Sequence, residues 1–229
     1  MGFISAICGA VSACVSVAST VISKVAPAIL PLANPILELA KIAVKVVVQA
    51  VVTLISEVSK SLGLVDQNME PEELGARAMQ NKDIKPEDFN SKKEYIEALK
   101  NAEFDEEKFK EDMKDDSYKL ACTAAGTGLE VQAIAEDMAM GIPLDFFVTA
   151  AKGKMNAGET IDLLNSMKQN NITDAGVFTK YTQGELSSEN EAAIKPALEN
   201  YESKGGKSID AIQHDIDFKT LEKTETVEG

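Results

Sequence analysis

One feature constrains this chain more than any other. Gly2 to Ser23 is an uncharged run of 22 residues with five serines and no leucine, and the prolines Pro27, Pro31 and Pro35 follow closely. About 20 residues suffice for a helix to cross a bilayer, so the run is long enough to span. Its serines are not scattered. Ser5, Ser12, Ser16, Ser19 and Ser23 advance by 7, 4, 3 and 4. At about 100° per residue they share one narrow arc of a helix, and Gly9 joins them. Ser5/Gly9, Ser12/Ser16 and Ser19/Ser23 are small-xxx-small pairs, which let a second helix come close.

The prolines predict an interruption. Each lacks a backbone N–H and disfavours helix in the residue before it. Asn34-Pro35 is also a turn-type dipeptide. Residues 26–35, with Pro27, Pro31 and Pro35, are therefore expected to connect the arms of a helical hairpin. The second arm runs from Ile36 to about Leu62, with Gly63 as its stop. Glu38, Lys41, Lys45, Gln49, Thr53, Ser56 and Ser59 fall on about one third of its circumference, and the rest is Val, Ile, Leu and Ala. Its longest uncharged run, Val46 to Ser56, has only 11 residues. The arm is thus read as an amphipathic helix with a broad apolar face rather than as a simple span.

Charge divides the chain at the same place. Residues 1–62 hold four lysines and two glutamates, a net charge of +2, and the other 167 residues are −16. Such asymmetry marks one part for membrane or assembly behaviour. The acidic surface repels phosphate backbones, so no nucleic-acid partner is expected. No Lys or Arg precedes Lys24, so a cleavable secretory signal is not expected. Val11-Ser12-Ala13-Cys14 resembles a lipoprotein cleavage box but lacks the basic start. After Met1-Gly2 the serine stands at position 5, where myristoylation wants it at 6. Cys8 and Cys14 are candidates for palmitoylation, but the favoured reading is small buried thiols in a packed helix.

From Gly63 onward the local signals are helical. Pro71 with Glu72 and Glu73 opens a helix to about Gln80. Lys85-Pro86-Glu87-Asp88 makes a short turn. Ser91 to Glu94 is a capping box for a helix that turns Tyr95, Ile96 and Leu99 inward. Asp105 caps a helix with Phe109 and Met113 on one face. Residues 117–140 form the longest helix, where Gly126 and Gly128 either weaken the middle or let another helix pack close. A short helix over 143–152 carries Phe146 and Phe147. Asn156 to Glu159 is a second capping box; Asp174 or Thr173 caps the next helix. Ser188 opens one to about Ser203, and Ser208 opens one to about Phe218.

Sites for chemistry are sparse. Cys8, Cys14 and Cys122 have no paired spacing, and His214 is the chain's one histidine, so no metal is expected. Gly126-Thr127-Gly128 has no preceding strand and no Gly-Lys-Ser/Thr, so it is no phosphate cradle. Cys122 sits in an Ala-rich helix interior, which suits an inert thiol. Carboxylate pairs such as Glu136/Asp137 carry no weight in a chain with 37 acidic residues. No enzyme activity and no cofactor are expected.

The expected fold is all-α. A hydrophobic helical hairpin occupies 1–62, an acidic domain of several short helices 63–219 and a charged flexible tail 220–229, with 64–218 able to fold alone. A hairpin this apolar needs cover from the downstream helices, from copies of the chain, or from a bilayer or other partner. The expected function is that of a membrane-active helical protein, a delivered or secreted bacterial effector of pore-forming type. Colicin-type toxins share the architecture of a hydrophobic hairpin sheathed by amphipathic helices, by analogy and not by sequence match. The alternative is a non-enzymatic structural or adaptor component of an oligomeric particle, phage-tail-like or part of a secretion apparatus. The partners expected are membrane lipid or a second copy through residues 1–62, with a chaperone or secretion machine as a further partner. The expected location is membrane-associated, or secreted or injected after cytoplasmic synthesis.

Overall fold

A computed structural model describes residues 15–42 and 45–225. The described residues form helices with no strand; one isolated bridge joins Gly141 to Asp174. Contacts group the chain into two compact units, Met1–Glu136 and Asp137–Gly229. Helices of residues 15–61 belong to the same unit as those of 71–136, whereas composition alone puts a boundary at 62/63.

Helix α1 covers 15–25. Val15, Ala18 and Ile22 are buried on one face, and Ser16 and Ser23 lie exposed with Ser19 half-buried. Pro27–Ile29 then form one 3₁₀ turn, and the Leu30 N–H donates to the Pro27 carbonyl. Helix α2 starts at once and spans Leu30–Ile42. The connection expected over 26–35 is therefore far shorter: only 26–29 break the helix, and Pro31 and Pro35 are inside α2. The reason is positional. Pro31 falls in the first turn, where an N–H has no intrahelical acceptor in any case. Pro35 withholds a bond only from the Pro31 carbonyl, and both residues are exposed, so that group faces water. Ala33, Ile36, Leu37 and Ala40 form the buried face.

Helix α3 is Lys45–Ser61, with Val51, Val52, Leu54, Ile55 and Val58 buried. It stops as the sequence predicts. Gly63 adopts φ +66°, its N–H donates to the Lys60 carbonyl at 3.0 Å, and the Leu64 N–H donates to Ser59 at 3.0 Å, the paired bonds of a Schellman cap. Helices α4 (Pro71–Gln80), α5 (Lys92–Asn101), α6 (Glu106–Asp112) and α7 (Asp116–Met138) complete the unit. Arg77, the chain's one arginine, ties α4 to the end of α5. It pairs with Glu73 at 2.8 Å, donates to the Lys100 carbonyl at 3.1 Å and lies over the Phe104 ring at 4.3 Å.

Glycines set the packing of α7. A Cβ built on Gly126 would overlap the Pro71 carbonyl, and one on Gly75 the Cys122 carbonyl. Helices α4 and α7 thus touch backbone to backbone. A Cβ on Gly128 would overlap the Leu32 carbonyl, so α2 makes the same close approach to α7. Of the two readings of these glycines, close packing is the one realised.

In the second unit come α8 (Leu144–Lys152), α9 (Ala157–Gln169), α10 (Gly176–Thr182), α11 (Ser188–Ser203) and α12 (Ile209–Glu225). Phe146 meets Phe147 at 5.4 Å and Phe178 at 6.0 Å between ring centres. Leu163, Leu164, Met167, Leu198 and Tyr201 are buried on α9 and α11, which pack together. Asn156 and Glu159 complete the capping box. Asp174 bonds the Gly176 N–H at 2.8 Å, although Ala175 is the residue at the cap of α10. Helix α12 continues to Glu225, into the segment expected to be a flexible tail. Lys154 and Lys207 each reach Asp215 at 2.7 Å, and these bonds hold its carboxyl down at about 2.

Candidate functional site

The residues singled out from the sequence divide into an outward stripe and an inward seam. Ser5, Gly9 and Ser12 lie outside the described residues. Ser16, Ser19 and Ser23 run along α1 at the edge of its buried face. Thr20 and Ser23 turn their hydroxyls onto the Ser16 and Thr20 carbonyls at 2.9 and 3.0 Å. In the described part of the stripe Ser16 and Ser23 are exposed and Ser19 is half-buried, beside the buried Val15, Ala18 and Ile22.

Glu38, Lys41, Lys45, Gln49 and Thr53 are all exposed. Lys41 pairs with Glu38 at 2.6 Å, one turn back on the same helix. Such an exposed pair contributes about 0–1 kcal/mol, so it positions charge more than it stabilises. Val17 and Val46, 50% and 74% exposed, are the large hydrophobic residues left open among those described. Both lie in the N-terminal segment.

The same polar stripe turns inward at its end. Ser56 and Ser59 are buried, and neither hydroxyl has a hydrogen-bond partner. Facing Ser56 is Glu130 of α7, fully buried, with both carboxyl oxygens unpartnered. Thr127, three residues earlier on α7 and so on the same face, is buried and unpartnered too. Lys60 is the cation that acts on Glu130, but its ammonium is bonded to Glu70 at 2.9 Å.

An ion in such a place loses its hydration and gets little in return. Burial is the main influence and pushes the Glu130 carboxyl up to about 8. Lys60, and the Ser56 hydroxyl that approaches the carboxyl without reaching full hydrogen-bond geometry, pull it down by less, and Glu70 and Glu72 add to the rise. The group is held mainly as the neutral acid at pH 7. The signal was present in the sequence: from Leu120 to Ala135, Glu130 is the one charged residue. Periodicity alone passes over it, because α7 is buried nearly all round here.

Other chemistry finds little support in the geometry. Cys122 is buried, and desolvation pushes its thiol up to about 12, which leaves it unreactive. His214 is exposed and belongs to the other unit. Among the described residues no group of three His, Cys, Asp or Glu side chains could hold a metal ion. A groove of about 670 Å³ runs past Leu64, Met69, Phe89 and Ile96. On its rim Lys100 is engaged by Asp66 at 3.0 Å and Glu97 at 3.5 Å. Comparison with protein families, with curated proteins and with solved structures finds no match.

Proposed function

We propose that the chain is a membrane-active helical protein of the delivered or secreted effector kind, and that its N-terminal helices act on a bilayer once freed from the fold. The observation that carries this reading is how their apolar residues are covered. Val15, Ala18, Ile22, Ile36, Leu37, Val51, Ile55 and Val58 are buried within the first unit, while Ser16, Ser23, Glu38, Lys41, Lys45 and Gln49 remain outside. Freed from their neighbours, these helices would present an apolar face too large to leave in water. Among the described residues no helix is long and apolar enough to cross a membrane. Their broad apolar faces and lysine-bearing polar sides suit helices lying in the lipid interface.

Flotation with vesicles containing anionic lipid, alongside dye release, tests the proposal. Full-length protein is expected to float and to release dye, and a chain lacking residues 1–62 to do neither. A full-length chain that stays at the bottom of the gradient overturns it. Exposed Val17 and Val46 favour a second reading, assembly of copies through the same segment. A large particle without lipid, dispersed by Val46→Asp, would support assembly instead.

A further inference from the structure

We infer that Glu130 is a proton-operated latch on the seam between α3 and α7: its neutral form keeps the N-terminal helices closed on the fold, and loss of the proton favours opening. The inference rests on the membrane reading only for what opening achieves; the latch itself is a property of the seam. The geometry is specific. Neither oxygen of a fully buried carboxyl has a partner in full hydrogen-bond geometry, and the same holds for the hydroxyls of Ser56, which faces it, and of Ser59 and Thr127, one turn along α3 and α7. An uncharged acid tolerates this setting, and a carboxylate does not. The charged groups acting on it are Lys60 of α3, Glu70 just before α4 and Glu72 within α4. Lys60 is already engaged by Glu70, so among the described residues the one cation that acts on Glu130 is not free for the ionised form.

The sign follows from linkage. With the seam open, Glu130 meets water and ionises near the usual 4.5; closed, it holds its proton to about 8. The closed state therefore binds the proton more tightly. Its advantage is complete below pH 4.5 and is lost progressively as pH rises, up to tenfold in the open-to-closed ratio per unit. Above pH 8 both states are ionised and the loss levels off. Across the whole window the change is on the order of 10³-fold. Acid thus locks the seam, and neutral to mildly alkaline conditions loosen it. That is opposite to a device that releases its helices on acidification.

The test uses the full chain without lipid, so its outcome is separable from that of the flotation experiment. Amide exchange protection of Val51–Val58, corrected for the intrinsic pH dependence of exchange, is measured at pH 5.5, 6.5 and 7.5. Wild type is expected to lose protection with each unit, at least tenfold across the series. Glu130→Gln keeps the shape, removes the ionisation and should flatten the dependence. Equal slopes in the two proteins overturn the latch. Should Glu130→Gln fail to fold, the carboxyl resonance of Glu130 in wild type decides: titration well above other glutamates supports the latch, and titration near 4.5 refutes it.

Discussion

At Gly126 there is no room for even one methyl group, because the Pro71 carbonyl occupies the site where a Cβ would stand. Gly126→Ala must push α4 away from α7. Overpacking a core costs about 1–3 kcal/mol, and contact with rigid backbone places this substitution at the upper end, even after the helical gain of alanine over glycine. Gly63 makes the instructive contrast. Nothing lies within 4 Å of a Cβ there, but its φ of +66° is left-handed, so Gly63→Ala should cost only about 1–2 kcal/mol of local strain. Urea unfolding of both variants, followed by far-ultraviolet circular dichroism, checks the order. Equal losses would mean that the α4–α7 contact is looser than its geometry.

At the scale of elements, the lysines of the N-terminal helices carry a functional prediction. Lys41 and Lys45 lie exposed on α2 and α3. Each basic group near an anionic bilayer is worth about 1 kcal/mol. Replacing both with glutamate removes two attractions and adds two repulsions, so partition onto anionic vesicles should fall by at least tenfold, while neutral vesicles show little change. Stability should barely move, because the lost Lys41–Glu38 pair is a surface one. Unchanged flotation on anionic lipid would remove this stripe from the binding face.

The elements also show where local sequence signals suffice. Asn156 with Glu159, Ser91, Asp105 and Gly63 act through neighbours a few residues away, so their caps can be read from the chain alone. Even so, Ser91 makes only half its box, because Glu94 bonds the Asn90 N–H at 3.0 Å instead. Pro31 and Pro35 mislead because proline's cost depends on which carbonyl it leaves unpaired and whether water reaches it. Ser56 and Ser59 share spacing with Lys45 and Gln49 but are buried, and Ser56 faces Glu130, more than seventy positions away. No periodicity encodes that meeting. The wide apolar face of the second arm was legible; which neighbour would cover it was not.

For the whole molecule, the two units bear on whether the acidic half can stand without the N-terminal helices, as composition suggests. Asp137–Gly229 has a core of its own, built from Phe146, Phe147, Phe178, Leu163, Leu164, Leu198 and Tyr201, with Ile212 buried on α12. In the first unit the N-terminal helices share the core with α4 to α7. Ile22, Ile29, Ile36, Leu37 and Ile55 are among its largest fully buried side chains, and Leu32 of α2 presses its backbone against Gly128 of α7. Deleting residues 1–62 would uncover that side of α7 and leave Glu130 open to water, where it ionises. We expect a 63–229 chain to keep slow-exchanging amides across 144–203, to lose them across 71–131, and to melt with less helix than the deletion alone accounts for. A 137–229 chain should fold alone with one cooperative transition. Intact protection across 71–131 in the shorter chain would mean that the N-terminal helices are passengers on this unit. Loss confined to that stretch would show that covering them and building the unit's core are one and the same packing, so that their release must cost the first unit its order.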